Sequence, residues 1–288
     1  MDAFSVAVRR GDVTEACHRV HAVVFRNGSV SESMGDPGLV SFLRSAAKPL
    51  QALPLVRSVP DVPDDELAIA SASHGARAEQ LAAVTALLAR AGATVDDLEC
   101  GAVDGSRLRH NCSGKHAGML CVCRARGWPK KGYRLPDHRV QREIADLVVE
   151  GSALALPQIP TATDGCGVVT FALTLERVAA LFARLVSGDL EGSERVCAAM
   201  RAHPELVEGP GSAATEVMKA VPGSVAKGGA EGLLCIGLED GTAIALKTED
   251  GASRPTGPAA GRLLGITDLA EAPVFNSRGE EVGTVTAA

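Results

Sequence analysis

Apolar runs near both ends of the chain predict two β-hairpins. In each hairpin, two apolar runs flank a dipeptide typical of tight two-residue turns. This dipeptide is Asn27-Gly28 in the first hairpin and Asp240-Gly241 in the second. The predicted strands are residues 20–25 and 30–34 in the first hairpin, and 232–238 and 242–247 in the second. Strands at both ends of a chain most easily join into one antiparallel sheet.

The middle of the chain carries apolar residues at helical spacing. We predict helices at residues 80–91, 138–149, 174–186, 196–202 and 214–220. Helices packed on an antiparallel sheet make an α+β fold. Because no low-complexity linker divides the chain, we expect a single domain over residues 1–288, with a helical lobe within about 75–215.

Composition then removes several classes of function. Aromatic residues are scarce at 3% and the net charge is −6, so neither base-stacking surfaces nor a basic patch is available for nucleic acid. No apolar run approaches the roughly 18 residues of a membrane span. The first twelve residues lack the apolar core of a secretory signal, which predicts a cytoplasmic protein without a membrane partner.

The segment Ser45-Ala46-Ala47-Lys48 is predicted to open a helix, because Pro49 follows it. On a helix, residues three apart share a face, so Lys48 is expected to reach back toward Ser45. Burial lowers the pKa of a lysine toward neutrality, and a neutral amine can take the proton of a serine. This Ser-x-x-Lys spacing is the pattern of serine enzymes of the β-lactamase and penicillin-binding type.

Four further segments combine glycine with side chains that carry chemistry. They are Ser71-Ala72-Ser73-His74-Gly75, the predicted turn 109–118, Thr163-Asp164-Gly165-Cys166-Gly167, and the Lys227-Gly228-Gly229 run ahead of the second hairpin. Lys227 suits the second lysine of a Ser-x-x-Lys enzyme, with Lys247 as a competing choice that lacks the following glycine. The Ser-His segment is also explained by a helix cap, and no Ser-Asp-Asn motif is present.

Eight cysteines without a C-x-x-C pair suggest thiols or metal ligands rather than disulfides. Cys112 and Cys166 are flanked by polar residues and glycine, and could share a soft metal such as zinc with Lys115 or a histidine as a third ligand. A pair of packed thiols explains them equally well.

Together these motifs resemble the asparaginase II family, the rhizobial type of L-asparaginase. The resemblance rests on residues 44–54, Ala-Ser-His at 72–74, His-Asn-Cys-Ser-Gly-Lys-His-Ala-Gly-Met-Leu at 110–120, Pro-Asp-His at 136–138, Thr-Asp-Gly-Cys-Gly at 163–167 and Lys-x-Gly-Ala-Glu-Gly at 227–232. It implies a fold similar to serine β-lactamases and glutaminases, usually as a homodimer. It also implies hydrolysis of L-asparagine to aspartate and ammonia. One departure is Gly75-Ala76-Arg77, where the family commonly reads Ser-Gly-Glu.

The resemblance further implies roles for individual residues. Ser45 pairs with Lys48, and Ser73 pairs with Lys227. Zinc would be bound by Cys112, Lys115 and Cys166.

From the chemistry of the reaction we expect Ser45 to attack the side-chain amide with Lys48 as its base. Substrate binding is assigned to Arg44 for the α-carboxylate, to Asp164 for the α-ammonium, and to His74 and Asn111. Two alternatives remain, a β-lactamase-like esterase or peptidase and a non-catalytic module that binds zinc or a small ligand.

Overall fold

A computed structural model describes residues 2–287. Its strands are β1 (Phe4–Arg10), β2 (Val13–Arg26), β3 (Ser29–Met34), β4 (Val40–Phe42), β5 (Thr161–Thr163), β6 (Val169–Thr174), β7 (Val225–Gly228), β8 (Leu233–Gly237), β9 (Ala243–Thr248), β10 (Glu271–Phe275) and β11 (Glu281–Ala287). The first helices are α1 (Lys48–Gln51), α2 (Leu53–Ser58), α3 (Asp64–Ala70), α4 (Ala78–Arg90), α5 (Ser113–Ala125) and α6 (Arg139–Ser152). The later ones are α7 (Leu175–Val186), α8 (Ser193–Ala202), α9 (Pro204–Val207), α10 (Ala213–Ala220), α11 (Thr256–Leu264) and α12 (Thr267–Ala270).

The main sheet is antiparallel and is built from both ends of the chain, as expected. Its strand order is β10-β11-β1-β2-β9-β8-β7, and β3 pairs with the far part of β2. The two predicted hairpins are confirmed as β2-β3 and β8-β9, and they join each other through the β2-β9 pairing. In the first turn Asn27 and Gly28 both have positive φ, which is the geometry that favours Asn-Gly.

Within residues 2–287, seven strands were not predicted from the sequence: β1, β4, β5, β6, β7, β10 and β11. Strand β10 lies at the edge of the main sheet beside β11, and both strands are only partly buried, so their apolar signal is weak. Strands β1, β5 and β6 are likewise additions to the predicted set, and β6 runs directly into α7. Lys227 lies on a strand of its own, β7, which pairs with β8.

The predicted helices are confirmed as α4, α6, α7, α8 and α10, with ends shifted by a few residues. The turn predicted for 109–118 is wrong in its second half, because α5 begins at Ser113. The small residues at the start of α5 give a weak helical signal in the sequence. A Cβ on Gly114 would lie 2.2 Å from the carbonyl oxygen of Ile69, so α5 can approach α3 this closely only with glycine at that position.

Helices α7 and α11 pack on the main sheet, while β4, β6 and β5 form a small separate sheet. The buried core consists mainly of Ala, Val and Leu, with Phe171, Phe182 and Tyr133 among its few aromatic side chains. The α+β fold class is therefore confirmed, and the single domain with a helical lobe stays a prediction. Among residues 2–287, no helix combines the length and the apolar character that a membrane crossing requires.

Candidate active site

A cavity of about 660 Å³ is lined by side chains from distant parts of the sequence. Those used below are Ser45, Ser73, Asn111, Glu208, Gly228, Ala230 and Arg254. Ser45 comes from the 3-10 turn before α1, Ser73 from the segment after α3, and Gly228 from β7. The fold thus gathers two of the predicted serines at one opening.

The hydroxyl of Ser73 lies between two lysines. Its Oγ is 2.9 Å from Lys48 Nζ and 2.9 Å from Lys227 Nζ. Both lysine side chains are fully buried, Lys48 on α1 and Lys227 on β7. Each ammonium charge disfavours protonation of the other amine, so such a pair favours one neutral and one charged lysine.

Lys48 is the member of this pair whose pKa is lowered. Burial lowers its pKa from 10.5 to about 8, and the charge of Lys227 acts in the same direction. Besides Ser73, its Nζ contacts the carbonyl oxygens of Ala72 at 2.6 Å and Asn111 at 3.3 Å. Carbonyls only accept, so a neutral amine donates to these two oxygens and keeps its lone pair for the Ser73 hydroxyl.

Lys227 has the contacts of the charged member. Its Nζ donates to Glu208 Oε1 in a partly buried ion pair, to the carbonyl oxygen of Gly228 at 2.8 Å, and to Ser73. Glu208 Oε1 also accepts from the Gly228 N–H at 2.8 Å. Sequence reasoning missed Glu208, although an acidic residue directly before Gly209-Pro210-Gly211 was an available signal.

Ser45 faces the cavity from the start of its 3-10 turn. Within residues 2–287 its hydroxyl makes no hydrogen bond, so the expected contact between Lys48 and Ser45 is wrong: the amine reaches Ser73 instead. The preceding residue, Arg44, has φ +48°, a conformation that costs energy for a residue with a side chain. Strained backbone next to a serine often marks a functional position.

His74 and Asn111, two predicted substrate-binding residues, lie next to the Ser73 and Lys48 pair. Burial and the charge of Lys48 lower the pKa of His74 to about 4, so the ring is neutral near pH 7. Its Nδ1 accepts from the Ala76 N–H at 3.1 Å, so Nε2 carries the proton and donates to Ser113 Oγ at 2.8 Å. Asn111 lines the cavity, and its carbonyl oxygen accepts from Lys48.

Arg44 and Asp164 contact each other rather than the cavity. The two side chains form an ion pair, with Arg44 Nε 2.6 Å from Asp164 Oδ1, and Asp164 is buried. Neither residue lines the cavity that holds Ser45 and Ser73. Each charge is thus already balanced by the other, which leaves little for a substrate.

The three predicted zinc ligands lie together and are all buried. Lys115 Nζ donates to Cys166 Sγ at 3.0 Å, while Cys112 Sγ lies 3.4 Å from Asn111 Oδ1 and Cys166 Sγ lies 3.6 Å from Asp164 Oδ2. The neighbouring Cys166 and the charges of Lys48 and Lys115 lower the pKa of Cys112 far below its usual range, whereas the neighbouring Cys112 and burial raise the pKa of Cys166. Within the described part of the chain, no cluster of three His, Cys, Asp or Glu side chains is arranged to hold a metal.

Comparison with known proteins identifies the family of the chain. The sequence profile of the L-asparaginase II family matches residues 6–287. The chain belongs to this family. The family assignment covers nearly the whole chain and supports amidohydrolase activity, so the resemblance stated from the motifs is confirmed.

Among solved structures similar to this asparaginase II family member, Mglu shares its fold at low sequence identity. Mglu in its native form matches with 13% identity and a TM-score of 0.51, over 87% of this chain and 64% of Mglu. The chain therefore spans 64% of the length of Mglu. A beta-lactamase from Mycobacterium bovis matches with 16% identity and a TM-score of 0.40, over 81% of this chain and 88% of that chain. A search of curated proteins finds no match.

Proposed function

We propose that the chain hydrolyses the side-chain amide of L-asparagine to aspartate and ammonia through a serine-lysine acyl-enzyme. The observation that carries the proposal is the Ser73 hydroxyl held between Lys48 and Lys227 at the cavity that Ser45 also lines. Family membership supports the amide as the bond attacked.

In the first step, Ser45 Oγ bonds to the amide carbon while its proton passes through the Ser73 hydroxyl to neutral Lys48, the amine that contacts Ser73. The protonated Lys48 then returns a proton through the Ser73 hydroxyl to the amide nitrogen, and ammonia leaves with the electrons of the broken C–N bond. Water repeats the sequence on the acyl-enzyme, giving its proton to Lys48 and releasing aspartate and free Ser45. Lys227 stays charged beside Glu208 and fixes the position of Ser73.

The developing oxyanion needs hydrogen-bond donors that are not already engaged. Within residues 2–287, the backbone N–H groups of Ser45 and Ala230 have no acceptor, and both residues line the cavity. Each such donor aimed at the oxyanion lowers the activation free energy by about 3 kcal/mol. This arrangement supports Ser45 as the nucleophile.

Ser73 is the second candidate nucleophile, because it is the hydroxyl that both lysines contact. Mass spectrometry of acid-quenched enzyme incubated with asparagine separates the two, because the aspartyl group remains on the attacking serine. We expect the group on Ser45, no turnover in Ser45→Ala, and turnover reduced by about 10²–10⁴ in Ser73→Ala. Label on Ser73 in the wild type would overturn the assignment.

Ammonia release from L-asparagine and L-glutamine, measured side by side, tests the substrate. Release from asparagine that vanishes in Ser45→Ala supports the proposal. Absence of release from both amides, together with hydrolysis of nitrocefin, would favour the esterase or peptidase, and no hydrolysis at all would favour the binding module.

Cys112, Lys115 and Cys166 would hold zinc in the same proposal. Two buried sulfurs and a buried amine, of which Lys115 and Cys166 are in contact, fit a borderline-soft ion once Lys115 and Cys166 give up their protons. The ion would act by fixing the wall of the pocket. Zinc content after loading and dialysis should fall in Cys112→Ser and stay unchanged in Cys17→Ser, whose cysteine is exposed. Equal zinc in both variants would contradict this ligand set.

The homodimer and the cytoplasmic location also belong to the proposal. The family resemblance supports the dimer, and the composition of the chain supports the location. Sedimentation equilibrium of the purified protein tests the dimer directly, since a monomer mass at micromolar concentration would contradict it.

A further inference from the structure

Arg254 is the cation among the described residues that line the cavity. The remaining lining residues are neutral or acidic, because Lys48 and Lys227 lie behind the surface. Arg254 belongs to the loop between β9 and α11, about two hundred residues from the predicted Arg44. No sequence motif singled it out.

A buried histidine holds Arg254 in place. The Arg254 Nε lies 2.8 Å from His18 Nε2, and His18 Nδ1 lies 2.6 Å from Asp250 Oδ2. Arginine can only donate hydrogen bonds, so His18 Nε2 must be unprotonated and must accept. The ring proton is then on Nδ1 and is donated to Asp250. The hydrogen bonds thus run in a fixed direction, from Arg254 to His18 and from His18 to Asp250. The His18 side chain is only 6% exposed.

The hydrogen bond to His18 engages the Nε of Arg254 and leaves the two terminal nitrogens of the guanidinium free. Within residues 2–287, the Nη1 and Nη2 groups of Arg254 make no hydrogen bond or ion pair. A fixed guanidinium with two unengaged nitrogens at a cavity is suited to a carboxylate, which it can bind in a bidentate manner. By contrast, Arg44 is already paired with Asp164.

We propose that Arg254 is the specificity-determining residue that binds the carboxylate of the amide substrate, and that His18 is its positioning residue. The proposal rests on the proposed function, because it assigns the substrate class of the same cavity: small amides that also carry a carboxylate. It replaces Arg44 in the role expected from the sequence.

The test compares two substrates, L-asparagine and 3-aminopropanamide, which has the same side-chain amide but no carboxylate. Loss of a charge-assisted hydrogen bond in Arg254→Gln should lower kcat/KM for asparagine by about 10- to 100-fold, mainly through KM. The same variant should leave the amide without a carboxylate within about twofold of wild type, since that substrate never used the guanidinium. Arg262→Gln, on α11 and outside this cavity, is the matched control and should change neither substrate.

The positioning role has its own pair of variants. His18→Leu removes the acceptor and should raise KM for asparagine with little change in kcat, whereas His18→Gln offers an amide oxygen to Arg254 and should restore part of the affinity. Equal KM values for both variants would contradict the positioning role. Thermal melting of each variant separates a loss of affinity from a loss of folding.

Failure of this inference and failure of the proposed function give different results. If wild type releases ammonia from asparagine and Arg254→Gln has an unchanged KM, the inference is overturned and the reaction stands. If wild type releases no ammonia, the reaction fails, and calorimetry with L-aspartate still tests the cation. If L-aspartate binds to wild type and not to Arg254→Gln, the result supports the carboxylate site. If L-aspartate does not bind to wild type, or binds to both proteins equally, the carboxylate site is overturned.

Discussion

The dependence of the rate on pH is the sharpest test of the two-lysine arrangement. Lys48 must be neutral to take a proton, and burial lowers its pKa from 10.5 to about 8. Because the neutral form is the active one, kcat/KM should rise as the pH increases toward 8 and level off above it. The perturbation is therefore the proton concentration itself, varied from pH 6 to pH 9.

The size of the rise follows from the neutral fraction of Lys48. With a pKa near 8, about 1% of the amine is neutral at pH 6, about 9% at pH 7 and about half at pH 8. The rate should therefore increase about 50-fold between pH 6 and pH 8. An unburied lysine would be only about 0.03% neutral at pH 7, so the environment raises the active fraction about 300-fold.

The assay is aspartate formation followed by proton NMR, which avoids a coupling enzyme with its own pH dependence. Asparagine concentrations well below KM report kcat/KM and hence the titration of the free enzyme. Lys48→Arg is the matched variant, since it keeps the positive charge and cannot lose its proton. It should lose about 10²–10⁴ in rate at every pH. A flat profile in wild type, or a rate that falls between pH 6 and pH 8, would refute Lys48 as the base.

Three further predictions concern residues around the site. Glu208→Gln should lower kcat by about 10- to 100-fold with little change in KM, because it removes the charged partner of Lys227; an unchanged kcat in steady-state assays would contradict this. Gly114→Ala should lower the free energy of unfolding by about 1–3 kcal/mol in urea titrations, because the added Cβ meets the backbone of Ile69. The control Gly75→Ala should leave the free energy of unfolding nearly unchanged, because its added Cβ meets no atom closer than 3.9 Å. Tyr133→Phe should cost about 1–3 kcal/mol in the same titration, because the Glu99 N–H and the buried His116 ring both lose a hydrogen bond to the Tyr133 hydroxyl. A stability equal to wild type would refute that role.

Much of the fold was predictable because local sequence has a direct structural cause. Asn27-Gly28 requires positive φ at both positions, and it formed the expected turn. Apolar spacing placed α4, α6 and α7 correctly. Prediction failed where the local signal is weak or conflicting. The start of α5 is made of small and polar residues, and the edge strand β10 and its neighbour β11 bury little apolar surface.

The sequence by itself determined the chemistry available, namely two serines, two lysines and a Cys-Lys-Cys set in an order that identifies the family. Only the tertiary structure decided which groups meet. Lys48 contacts Ser73 rather than its neighbour Ser45, Lys227 meets the same hydroxyl from 154 residues away, and Arg254 reaches the cavity. Hydrogen bonds act over about 3 Å in space, and local pattern cannot fix such distances between segments that only the sheet and its helices bring together.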